Sequence, residues 1–136
     1  MIRGLAGSNC FMQGEGTRGN VYKDLLIWKK SLEIIKSVYV LAEQLPKTED
    51  YNLKQQLKRA VVSVALNIAE GKNRRTVKDF INFLNISSSS LAETEAILSI
   101  CEELEIIEVP ESLYEAIEEL SKMINSLISS LKGKTK

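Results

Sequence analysis

Apolar residues recur along the chain at steps of three and four, in four blocks set apart by Pro46, Gly71 and Pro110. That is the period of an amphipathic helix. In the first block Leu25, Trp28, Leu32, Ile35, Tyr39 and Ala42 form one stripe. They predict a helix from about Lys23 to Leu45, which Pro46 stops. The second block predicts a helix from about Glu49 to Glu70, with Thr48 as its N-cap. Leu53, Leu57, Ala60, Val61, Val64 and Ile68 are its main stripe, and Val62, Leu66 and Ala69 make a smaller strip on another face. A helix apolar on two faces is buried on two sides. In a chain this small, the second side is most simply a neighbouring subunit, so Val62, Leu66 and Ala69 are the expected oligomer interface.

Gly71 suits the left-handed position that ends a helix, and Thr76-Val77-Lys78-Asp79 resembles a capping box that opens the next. That third helix is expected to reach about Leu104, with Phe80, Phe83, Leu84, Leu91, Ile97, Leu98 and Cys101 as its stripe. Ser87 to Ser90 interrupt the stripe at some cost in propensity. They read as small residues that let another helix approach closely, with a break in the helix as the alternative. Pro110 fits the first turn of the last helix. Glu111, Glu115, Glu118 and Glu119 then crowd its N-terminal half, where the helix dipole favours anions. Leu113, Ile117, Leu120, Ile124, Leu127 and Leu131 alternate four and three like a coiled-coil seam.

Four long helices, short connections and no strand pattern predict an all-α fold, an antiparallel up-down-up-down four-helix bundle. It is expected over residues 21–132, followed by a tail at 133–136. Trp28, Leu57, Val64, Phe83, Leu98 and Leu120 are placed in its core. Residues 1–20 hold five of the seven glycines and no apolar period, which predicts a flexible leader outside the fold.

Composition narrows the chemistry. With 136 residues the chain suits a single core. It contains no histidine, so His-ligated metal sites and His-activated nucleophiles are excluded. Cys10 and Cys101 make no disulfide framework, and no glycine-rich phosphate loop or paired-cysteine motif occurs. Neither catalysis, nor a metal, nor another cofactor is expected. No apolar run is long enough to cross a bilayer or serve as a signal peptide, so the expected setting is cytoplasmic, without membrane contact.

The net charge of zero conceals a split. Residues 1–78 carry 14 Lys and Arg against 7 Asp and Glu, and residues 79–136 carry 4 against 11. The concentrated cations are Lys54, Lys58, Lys72, Arg74, Arg75 and Lys78. They read either as a solvated surface or as a phosphate-binding patch for RNA or DNA, stronger if repeated around a ring. The acidic run from Glu93 to Glu119 reads as a solvated face, or as a partner for the basic face of an adjacent subunit. On the second helix Gln56, Arg59, Ser63, Asn67 and Glu70 lie within about 80° of one another. They are expected to form a buried polar network that fixes register between helices or subunits. Glu70 lacks the second acid that carboxylate catalysis requires.

The segment from Asp24 to Leu104 resembles the four-helix-bundle proteins first noticed in intervening sequences of bacterial 23S ribosomal RNA genes. The resemblance rests on Asp24-Leu25 with Trp28 and Lys30, Tyr51 with Leu53, and Gln56-Leu57-Lys58-Arg59-Ala60. It continues through Ser63, Asn67-Ile68-Ala69-Glu70-Gly71, Arg75, Phe80, Phe83-Leu84 and Ser90-Leu91-Ala92-Glu93. Asn52, Lys58, Ala65 and Ser89 stand where the family usually has Gly, Arg, Pro and Gly. Losing the proline is expected to straighten the second helix. The resemblance implies a cytoplasmic homopentamer without catalytic residues. It also implies kinship with the accessory protein of diversity-generating retroelements, which binds nucleic acid through basic surface and partners a reverse transcriptase.

Overall fold

The computed structural model of the chain describes Tyr22 and residues 25–134. The expectations for the leader at 1–20 and for Cys10 lie outside the described residues. Four helices account for nearly all of the rest: α1 (Leu26–Ala42), α2 (Leu53–Lys72), α3 (Val77–Glu103) and α4 (Glu111–Lys134). No strand forms among the described residues. Each helix packs against its sequence neighbours and α4 closes on α1, with α2 and α3 the most extensive pair. The result is the all-α four-helix bundle. No helix among the described residues is long and apolar enough to cross a membrane.

The core is built from one buried row per helix. Leu57, Val61, Val64 and Ile68 come from α2, and Leu84, Leu91 and Leu98 from α3, all essentially without solvent contact. Leu57, Val64, Leu98 and Leu120 are buried as expected, whereas Trp28 and Phe83 are only half-buried at its edge.

Helix α1 faces the core with a different row from the expected one. Ile27, Ser31, Ile34, Val38, Leu41 and Ala42 are its buried residues, while Leu32 and Tyr39 are exposed. The polar member of the true row is satisfied locally, because Ser31 Oγ donates to the Trp28 carbonyl at 2.7 Å. In α4 the seam follows the expected residues to Ile124 and then steps by four to Ile128, leaving Leu127 half-buried. The straight helix drifts off a strict heptad, and the extra residue restores its contact with the core. Gly133 and Lys134 continue α4 past the boundary expected at 132.

The serine run does not break α3. Ser87 Oγ donates to the Val64 carbonyl at 2.8 Å, and Ser90 Oγ meets Ser63 Oγ at 2.9 Å. Thr94 Oγ1 turns back to the Ser90 carbonyl at 2.9 Å. Small hydroxyls therefore lie where α3 meets α2, each with a partner, and a polar atom there costs little.

Two helix ends differ from expectation. Thr48 lies in a short 3₁₀ turn (Lys47–Glu49) rather than at the start of α2; Asn52 precedes α2, and the Glu49 carboxylate takes up the Leu53 N–H at 3.4 Å. Gly71 is not left-handed. It is a buried residue inside α2 with ordinary helical geometry. A glycine is needed there because a Cβ would lie 2.7 Å from Phe83 Cβ and 3.0 Å from Phe80 Cδ1. Thr76 does cap α3, its Oγ1 accepting the Asp79 N–H at 3.0 Å.

Candidate nucleic-acid interface

The six cations form two groups at opposite ends of α2. Lys58 and Lys72 are fourteen residues apart, about 21 Å at 1.5 Å per residue. At the α2 N-terminus Lys54 reaches Asp50 at 2.8 Å and Glu43 at 3.9 Å. Lys58 donates to the other Glu43 oxygen at 2.8 Å and lies 4.9 Å over the Tyr39 ring. The hydrogen bond from Lys58, with the charge of Lys54, holds the Glu43 carboxyl below the usual carboxylate range. Asp50, through its hydrogen bond, raises the Lys54 ammonium. These two cations are thus neutralised within the chain. Spacing along the sequence gives no sign of it, since Glu43 and Lys58 are fifteen residues apart.

The other group is arranged differently. Gly71 lets the end of α2 press onto the first turns of α3, and the chain reverses in the four residues from Asn73 to Thr76. Lys72 Nζ lies 5.4 Å from the centre of the Phe80 ring, and Arg74 Cζ 4.8 Å from that of Phe83. Each aromatic face supports a cation without removing its charge. Arg74 also pairs with Glu70 at 2.7 Å, both side chains about half-exposed, which makes it a weak pair. Arg75 and Lys78 are exposed and form no ion pair among the described residues. Four cations in seven residues therefore stand at one corner of the bundle, with Glu70 and Asp79 as the acids nearest in sequence.

Of the five residues expected in a buried network, the structure connects two. Asn67 Nδ2 donates to the Ser63 carbonyl at 2.8 Å and to Ser63 Oγ at 2.9 Å, and Ser63 continues to Ser90. Gln56, Arg59 and Glu70 are exposed in the single chain. Gln56 bonds only Asn52, at 3.1 Å, and Arg59 has no hydrogen bond or ion pair among the described residues. Arg59 and Glu70 lie at the edge of the arc away from Asn67, whereas Gln56 shares the angular range of Ser63 and Asn67 but is exposed near the N-terminal end of α2.

Val62 and Ala69 are half-buried and Leu66 is exposed. Val62 and Leu66 line a groove with Tyr39, Lys58 and Arg59, with a volume of about 470 Å³. The displaced α1 stripe accounts for this surface. Tyr39 of that stripe lines the groove with Val62 and Leu66, and helical spacing puts Leu32 and Ile35 on the same side of α1, so two apolar strips read separately along the sequence border one face. A helical wheel drawn for both helices at once carries that signal.

Elsewhere the structure offers little reactive chemistry. Cys101 is fully buried, which pushes its thiol up. Tyr114 is raised by burial and donates to Glu102 Oε1 at 2.9 Å, while Glu102 Oε2 accepts the Val109 N–H at 3.0 Å. This links α3, the 104–110 connection and α4. No group of three or more metal-ligating side chains occurs among the described residues.

Residues 23–126 match the family model of the 23S rRNA-intervening sequence protein. A crystal structure of a protein of unknown function from the S23 ribosomal protein family of Bacteroides thetaiotaomicron is similar, with a TM-score of 0.62 and 30% identity. The likeness covers 78% of this chain and 97% of that one. No curated protein matches the chain.

Proposed function

Because the chain belongs to the 23S rRNA-intervening sequence protein family, we propose that it is a non-enzymatic, ring-forming bundle that binds RNA or DNA through the α2–α3 turn. Lys72, Arg74, Arg75 and Lys78 are the binding residues, and a pentameric ring would present them five times. The observation that carries this reading is the contrast between the two cation groups. Lys54 and Lys58 are held by Glu43 and Asp50, whereas Arg75 and Lys78 form no ion pair among the described residues, and Lys72 and Arg74 rest on phenylalanine rings, Arg74 with a half-exposed pair to Glu70. Phosphate contacts of this kind release counterions and weaken as salt rises. With only four cations in this patch per subunit, affinity depends on repetition. A reverse transcriptase or similar enzyme that carries nucleic acid is the protein partner this surface suits.

The experiment is a titration of labelled single-stranded RNA and of duplex DNA at low and moderate salt. Wild-type protein binds at low salt and releases as salt rises. The variant with Lys72, Arg74 and Arg75 changed to Ala loses most of this binding and keeps its assembly. A second reading, a protein-interaction scaffold without nucleic acid, is favoured by the neutral net charge. It stands if binding is absent at low salt or indifferent to the triple substitution.

A further inference from the structure

The outer side of α3 carries an exposed apolar row. Ile86, Ile100 and Leu104 are each about half-exposed, at 48%, 48% and 55%. Ile86, Glu93 and Ile100 are seven residues apart, and a straight helix turns only about 20° per heptad against that spacing. They therefore form one ridge, apolar towards its ends and acidic at Glu93, a residue with no ion pair among the described residues.

The groove between α1 and α2 is the counterpart in shape and charge. Its floor is Tyr39, Val62 and Leu66, with Leu66 60% exposed. Asp50, Lys54, Lys58 and Arg59 edge it; the two lysines are paired with Asp50 and Glu43, which leaves Arg59 as the edge cation with no ion pair among the described residues. Two grooves facing each other would set concave surface on concave surface and Arg59 against Arg59 with no acid to pair it, which opposes association. A helix ridge laid in a two-helix groove fills it, as amphipathic helices do in helix-in-groove recognition.

We infer that the groove between α1 and α2 receives the outer ridge of α3 from a second copy of this chain, with the partner's Glu93 supplying the negative charge that Arg59 lacks. The inference rests on the ring reading above and specifies its interface. Groove and ridge are different surfaces, so the contact is heterologous. Each copy that docks leaves one groove and one ridge open until a ring closes.

Two variants test it. Leu66→Glu blocks the groove and Ile100→Glu blocks the ridge. Both side chains are exposed in the single chain, so circular dichroism should show unchanged helicity. By light scattering at hundreds of micromolar, each variant alone should have the mass of one subunit. An equimolar mixture should give a species of two subunits and no larger, because one intact groove then meets one intact ridge. Full assembly of Ile100→Glu alone would overturn the ridge while leaving the ring. Two monomeric variants that stay monomeric when mixed would overturn the heterologous pairing. A monomeric wild type would overturn both this pairing and the ring itself.

Discussion

Gly71 and Phe83 set how closely α2 and α3 can approach: a Cβ added to the glycine would lie 2.7 Å from Phe83 Cβ. That atom is fixed to the α3 backbone, and the Phe80 carbonyl oxygen at 3.3 Å is backbone itself, so neither can swing aside. Gly71→Ala would gain up to about 1 kcal/mol of helix propensity, less near a helix end. Overpacking costs about 1–3 kcal/mol. Net destabilisation of about 1–2 kcal/mol is expected in denaturant unfolding, and it should also shift the cations of the adjoining turn.

The hydroxyl of Ser87 makes a separate test of the same helix pair. Its carbonyl partner on Val64 sits within α2, so Ser87→Ala should cost only about 1 kcal/mol, the net worth of one hydrogen bond. Ser87→Leu should cost more, because the site is fully buried and α2 would be forced away. Equal stability of the two variants would show that the serine run is not there for close approach.

At the end of α4, Ile128→Ala should destabilise by about 2–5 kcal/mol, the usual range for emptying a buried aliphatic site. Leu127→Ala should cost clearly less, since Leu127 is only half-buried. A strict heptad would give the opposite order. Thermal melts of the two variants side by side decide it.

How much of this was legible in the sequence depended on whether apolar residues competed. In α3 and α4 one continuous stripe dominates, the outer Ile86 and Ile100 of α3 being widely spaced, and the expected rows largely became the buried ones. In α1 two apolar rows lie side by side, and Ser31 interrupts the one that became the core. Periodicity cannot tell which of two apolar rows faces its own chain. The exposed row was nonetheless informative once paired with Leu66 on α2. The polar network was legible only where α3 seats on α2: Ser63 and Asn67 connect to Ser90, while Gln56, Arg59 and Glu70 are exposed in the single chain. The seat of α3 depends on Gly71 and Ser87, which helical spacing within α2 does not reveal.

Glu43 gives the fold a pH dependence of known sign. Lys58 and Lys54 lower its pKa in the folded chain, relative to about 4.3 for a free glutamate. A lowered folded value means stabilisation that is present above the free value and lost as pH falls through the lowered one. Glu43→Gln should therefore be less stable than wild type at neutral pH. The gap should close below about pH 4 and shrink with added salt. Urea unfolding of both proteins across that range checks it, and a gap that widened on acidification would contradict the pairing.

If weak cationic corners gain affinity by repetition around a ring, binding must depend on assembly at constant surface charge. Labelled single-stranded RNA is titrated at low salt with wild-type protein and with Leu66→Glu at equal subunit concentration. The variant keeps Lys72, Arg74, Arg75 and Lys78 but not the assembly. Wild type should bind about a hundredfold more tightly per subunit, the low end of what multivalent presentation provides. Equal affinity for the two proteins, or no binding by either, would contradict the account.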